Sequence, residues 1–356
     1  MKAAHWAVVA ALLLLSALFP AGATAAYDPL GSGTTRLSLD KSFTALLKQN
    51  GVQLTGEGGV VVRGNAVIFP VSGGKFDPTT AKGAIEHGGA LRLRAGRRSV
   101  PVRALQLKTT QRHSPFAAKV GGGQLKIAAA QKMAVRRAGF GSRVETTALT
   151  LSAKFAERLD KKLHLRGIFA ADQPFGATVT RAEPVTVAVA AAEKVSFTLD
   201  PAIAAKLQSL FVAVNPIFPA EHLGPVFSLP IFDGAIAPDA TLGTLRTKGS
   251  LEFLQLGGGQ VFWHEPSLEL ATKVGLVELD VEPAPPYAGK VGPVAVGALT
   301  LTSVSADPQA RTIAMSAALA LEPAAAVAFN QAFAEGKETF RPGEALGTLS
   351  FVAHAQ

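Results

Sequence analysis

Short runs of alternating apolar and polar residues recur along the chain, and Gly, Asn or Pro separates most of them. Thr35–Leu39 (T-R-L-S-L) alternates as a half-buried strand does. Asp40 follows as a helix cap, with Phe43, Leu46 and Leu47 on one face of a short helix that Asn50-Gly51 ends. Val60–Val71 holds two strand-like runs broken at Gly64-Asn65, a hairpin signal. Phe69–Leu93 then passes Gly73-Gly74, Asp77-Pro78, Gly83 and His87-Gly88-Gly89, and these glycines read as turns. Alternation resumes at Leu91, turns at Ala95-Gly96, and continues through Leu105–Leu107 and Leu125–Ile127 around Gly121–Gly123. Strands about 8–12 residues apart, split by Gly-rich turns, predict an all-β, mostly antiparallel sandwich or barrel with short helices.

The pattern occurs twice. Leu229–Phe253 repeats Phe69–Leu93 at an offset of 160 residues, matching Pro70 with Pro230, Gly74 with Gly234, Gly83 with Gly243, Gly89 with Gly249 and Leu91 with Leu251. Val195–Leu199 then answers Thr35–Leu39, and Asp200-Pro201 opens a second short helix carrying Ile203, Leu207 and Leu210. Ala148–Leu151 and Ala318–Leu321 each lead into another helical stripe, and Phe175-Gly176 answers Leu346-Gly347, now at an offset of 170 to 171. Duplication is the reading, with domains at 34–190 and 194–356 and almost no linker. Thr178–Val189 and Thr348–Val352 are the expected closing strands.

Residues 1–26 read as a secretory signal peptide. Lys2 charges its start, Ala7–Phe19 is apolar but short, and Ala23-Thr24-Ala25 is a small-x-small cleavage site. No later run of about 18 uncharged apolar residues follows, so no transmembrane span is expected after cleavage. The chain has no cysteine, which excludes disulfides, thiolate metal sites and a cysteine nucleophile. A secreted or cell-envelope protein resting on its apolar cores is the consequence.

The net charge of +9 hides a division. Residues 27–190 carry 25 Lys and Arg against 10 Asp and Glu, a net of +15; residues 191–356 carry 9 against 16, a net of −7. A basic half facing the outside of a cell suits an anionic cell-wall polymer. Nucleic acid is not expected, because aromatics do not interleave with the basic residues.

Catalytic patterns are thin. Glu265 and Glu269 lie four apart beside Trp263 and His264, but a glycosidase cleft needs more aromatic surface than one tryptophan supplies. His113, His164, His222 and His264 show no metal-ligand spacing, Asp77 and Asp233 sit in turn-forming sequences, and no G-x-S-x-G elbow occurs. No enzyme activity and no metal site are expected. His87 remains, at a strand start beside two glycines, as either an exposed turn histidine or a ligand-binding residue.

Leu39-Asp-Lys-Ser42-Phe43, Gly74 with Gly83, Ile85-Glu-His87-Gly-Gly-Ala-Leu91, Leu149-Thr-Leu151 and Phe175-Gly176 together resemble the HtaA domain. That family comprises actinobacterial exported modules, often in tandem, associated with cell-surface haem binding. The resemblance covers Thr34–Val189 and, more loosely, Lys194–Gln356, and implies a non-catalytic binding protein. It also implies a haem-ligating tyrosine on the first helix, supported by the histidine of the H-x-G segment. Here that helix reads Ser42-Phe-Thr-Ala-Leu46, with Leu46 at the tyrosine's place, so a haem site would centre on His87.

Overall fold

The computed structural model describes residues 27–77, 79–110, 115–190, 193–282 and 291–356. The expected signal peptide and His113 lie outside the described residues.

The fold is antiparallel β throughout, built as two matching sheets. The first contains β1 (Asp28–Leu39), β2 (Val52–Glu57), β3 (Val61–Arg63), β4 (Ala66–Asp77), β5 (Lys82–His87), β6 (Ala90–Ala95), β7 (Arg98–Lys108), β8 (Phe116–Val120), β9 (Gly123–Ala138), β10 (Gly141–Leu151) and β11 (Pro174–Pro184). Its helices are α1 (Lys41–Gln49) and α2 (Ala153–Leu163). The second contains β12 (Val187–Ala188), β13 (Lys194–Leu199), β14 (Val212–Ile217), β15 (Glu221–Leu223), β16 (Val226–Ile236), β17 (Gly243–Thr247), β18 (Ser250–Gln255), β19 (Gln260–Glu269), β20 (Val274–Glu282), β21 (Val291–Asp307), β22 (Thr312–Leu321) and β23 (Ala345–His354). Its helices are α3 (Pro201–Ser209) and α4 (Pro323–Phe333).

Each sheet closes on itself. In the first, the order β7-β5-β4-β1-β11-β10-β9-β8 returns to β7. In the second, β19-β17-β16-β13-β23-β22-β21-β20 returns to β19. Closure removes the open edges that a twisted antiparallel sheet would otherwise expose. The register repeats as well: Thr35 pairs with Phe69, and Val195 with Leu229. Leu37 pairs with Thr178, and Phe197 with Leu349.

Local chemistry sets the helices. Asp40 and Asp200 accept backbone N–H groups of Ser42 and Ala202, and Pro201 fits the first helical turn. Phe43 and Leu47, like Ile203 and Leu207, turn inward. Leu46 is half-buried.

Two sequence expectations need correction. Gly73, Gly74 and Gly83 are not turns but strand residues, in β4 and β5. A side chain at Gly83 (φ +145°) would place its Cβ 2.3 Å from the Lys75 carbonyl, and the repeat partner Gly243 is constrained in the same way by Ala235. The glycines therefore mark close strand crossing rather than reversal. The expected closing strand Thr178–Val189 also ends early, at Pro184, and Val187–Ala188 pairs with β16 of the second sheet.

Candidate functional site

His87 ends β5, opposite Val71, and is neither exposed nor open to a ligand: only 4% of it is accessible. Its Nδ1 lies 2.9 Å from the Leu105 carbonyl and its Nε2 2.6 Å from the Thr35 hydroxyl. A carbonyl can only accept, so Nδ1 carries the proton and Nε2 accepts from Thr35. Thr35 in turn lies 2.7 Å from the hydroxyl of Thr180. Burial pushes the imidazole down to about 4, with the Leu105 carbonyl pulling weakly the other way. Phe69 stands edge-on to the ring.

Leu105 offers its carbonyl because β7 is irregular there. Ala104 has φ +47°, and the pairing of β7 with β8 slips between Arg103 and Gln106. The second barrel repeats the feature at Glu265 (φ +44°), where β19 slips against β20 between His264 and Ser267. There the Thr247 hydroxyl donates to the Pro266 carbonyl at 2.5 Å. His87 and Thr247 thus hold the same architectural place, each satisfying a carbonyl that a bulge turns inward.

The two interiors differ in what lies beyond that contact. Thr35, Thr180, Thr178 and Thr146 are all buried in the first barrel, and Thr146 and Thr178 are 2.6 Å apart. The corresponding residues of the second barrel are Val195, Phe351, Leu349 and Ala317. The hydroxyls were not singled out in the sequence, because threonine suits a strand on either face.

Neither interior holds room for a large ligand. The cavity bordered by Thr35, Phe69, Leu105 and Thr178 measures about 30 Å³, and that bordered by Trp263, Leu251 and Leu319 about 60 Å³. Sites for drug-sized ligands run to about 300–1,000 Å³. The place that the resemblance assigns to haem does not fit it. Leu46 has no atom to bind iron, and both nitrogens of His87 are occupied.

The remaining sequence candidates disperse. Glu265 sits exposed at the β19 bulge, while Glu269 accepts from the Thr244 hydroxyl. Trp263 is buried against Phe253 and Phe329, and His264 contacts Ser250 and stacks on Phe262. His222 stacks on Phe227, and His164 caps α2. Asp77 accepts from the Thr79 and Thr80 backbone as a turn former, and Asp233 pairs with Arg246. Among the described residues no group of three or more His, Asp or Glu is arranged to hold a metal ion. No helix among them is long and apolar enough to cross a membrane.

No family model matches the chain, and no curated protein matches it. Among solved structures, the chain is distantly similar to the C-terminal domain of HtaA from Corynebacterium glutamicum. The identity is 18%, the TM-score 0.37, and the match covers 46% of this chain and 98% of that domain. A domain-swapped dimeric variant of the same domain matches at 18% identity and a TM-score of 0.33, covering 43% of this chain and 91% of the variant.

Proposed function

We propose that the chain is an exported, non-catalytic binding protein whose basic first half engages an anionic polymer of the cell envelope. The observation that carries this reading is the uncompensated charge of that half, +15 over residues 27–190. Among its described residues the ion pairs are Arg92 with Glu57 and Arg143 with Glu145, so most of its cations face outward without a carboxylate partner. Such a surface raises the local concentration of polyanions and loses its hold as salt screens it. Retention of the purified protein on cell-wall polymer should be strong at low ionic strength and largely abolished at about 0.5 M salt, where the screening length falls to roughly 4–5 Å. Retention unchanged by that salt would overturn the reading.

Haem capture is the second reading, and one observation favours it at a different place from His87. Tyr27, the one tyrosine among the described residues, is exposed on an open groove of about 730 Å³ beside Lys75 and Lys108. A phenolate can ligate ferric haem, and the ammonium groups suit its carboxylates. Hemin titration of Tyr27→Phe and His87→Ala separates the sites. A Soret shift lost in Tyr27→Phe and kept in His87→Ala supports the groove; no shift in the native protein removes haem altogether.

A further inference from the structure

The helix α2 has two faces of unlike chemistry. Phe155, Ala156, Leu159 and Leu163 are buried in the barrel. Lys154, Arg158, Lys161 and Lys162 fall at i, i+4, i+7 and i+8, which lines them along the other face. That face borders a groove of about 350 Å³, completed by Leu125 at the start of β9 and by Glu157. The hairpin between β8 and β9 closes one side. Gly121 approaches both Arg158 and Lys162, while Gly122 and Gly123 have open space beside them. The Ser152 hydroxyl donates to the Lys126 carbonyl at 2.5 Å and so ties the helix to the hairpin.

The matching helix of the second barrel does without these cations. The corresponding residues of α4 are Ala324, Ala328, Gln331 and Ala332, of which Ala328 and Ala332 are buried. The helix dipole accounts for Lys161 and Lys162, which lie in the last turn. It does not account for Lys154, which opposes the dipole in the first turn, or for the half-buried Arg158. None of the four forms a salt bridge among the described residues. Lys154 and Arg158, and Arg158 and Lys162, are like charges four apart and repel, a cost that Glu157, four before Lys161, offsets only in part.

We infer that the groove between α2 and the β8–β9 hairpin is the seat of a phosphodiester-linked polymer, which it holds through Arg158, Lys162, Lys154 and Lys161. This rests on the anionic-polymer reading and assigns it a site. The guanidinium of Arg158 presents a planar fork for two anionic oxygens, and the ammonium groups flank it as mobile point charges. Successive cations four residues apart are displaced by about 6 Å along the helix. A polymer whose anions recur at a comparable interval, as phosphodiesters joined by three-carbon polyols do, can meet more than one of them at once.

The test uses the full chain and immobilised poly(glycerol phosphate), with polyglutamate and inorganic phosphate as competitors. Arg158→Glu/Lys162→Glu is compared with Arg94→Glu/Arg98→Glu on the β6–β7 hairpin. Lys154→Gln/Lys161→Gln, on exposed residues, serves as a milder variant should the first fail to fold. The groove variants are expected to weaken binding at least about tenfold and to lower the salt slope by about 2. The hairpin variant should change affinity by less than about threefold. Inorganic phosphate should compete only weakly, and polyglutamate less well than the phosphate polymer. Equal losses in groove and hairpin variants would overturn the site while leaving the anionic-polymer reading intact. Equal competition by polyglutamate would overturn the phosphodiester assignment. Absence of binding by the native protein to this polymer and to whole cell-wall polymer would remove both readings.

Discussion

The Nε2 of His87 and the hydroxyl of Thr35 meet 2.6 Å apart inside the first barrel, where the second barrel has Thr247 and Val195. The first pair extends a chain of donors and acceptors from the Leu105 carbonyl to Thr180. The second ends at once, on the Pro266 carbonyl. Each arrangement satisfies its polar atoms, and mixing them does not. Thr35→Val alone leaves Nε2 without its donor and should cost about 1–2 kcal/mol. His87→Thr alone also leaves a gap and should cost about 3 kcal/mol. The double variant His87→Thr/Thr35→Val rebuilds the second barrel's solution. Urea unfolding should show its cost falling short of the sum of the two single changes by about 1 kcal/mol or more. Strict additivity would mean the two side chains are not coupled.

Acid acts on the first barrel through the same residue. The folded-state value of His87 is about 4, below its ordinary 6.5, so folding favours the neutral ring. That contribution is present above 6.5 and is lost as the pH falls toward 4, amounting to about 3 kcal/mol across the window. Asp28 acts in the opposite sense. Burial raises its carboxyl to about 6, against the pull of the Ala188 N–H and of Arg311 and Arg137, so folding favours its protonated form. Its contribution is present below 3.8 and fades as the pH rises through 6. The two nearly cancel in the native protein, so between pH 6.5 and 4 His87→Gln should gain stability as the pH falls and Asp28→Asn should lose it. Unfolding midpoints at pH 7, 5 and 4 decide the matter; identical slopes in all three proteins would contradict it.

Glycine replacements should separate by what a methyl group meets. At Gly83 and Gly243 the added carbon strikes the backbone carbonyls of Lys75 and Ala235, which belong to the crossing strand and cannot rotate away. Gly83→Ala and Gly243→Ala should each cost about 3 kcal/mol or more. At Gly64 (φ +59°) the space is open, so Gly64→Ala should cost only the left-handed backbone, about 1 kcal/mol. Thermal midpoints that fail to rank the variants this way would show that the strands can separate to accept a side chain.

The two-copy architecture was legible because register is a sequence property. Apolar alternation fixes which face turns inward, and the constant offset carries it from Phe69 to Leu229. The helix caps were legible for a similar reason, since Asp40 and Asp200-Pro201 act on their nearest neighbours. The error over Gly73, Gly74 and Gly83 arose because glycine serves turns and close crossings alike, and only the partner strand distinguishes them. The burial of His87 was not legible either. Its partners Thr35, Leu105 and Thr180 are distant in the chain, and no local spacing brings them together. The cations of α2 stand at helical spacing but were not singled out in the sequence. What the sequence lacked was the groove, which depends on a hairpin about thirty residues upstream.

The short strand Val187–Ala188 bears on how the chain can be divided. Residues on both sides of the repeat boundary are woven into the second barrel: Val187 and Ala188 pair with Ile236 and Ala235, the Ala190 N–H reaches the His354 carbonyl, and the Glu193 carbonyl accepts from the Ile231 N–H. A cut after Ala190 would strip those residues from β16 and leave unpaired backbone groups on its flank, an invitation to aggregation. A cut between Val185 and Val187 would spare both sheets, while parting the Ala188 N–H from Asp28. The boundary by hydrogen bonding thus lies several residues before the one suggested by the repeat, and the second unit is the one that owns the connection.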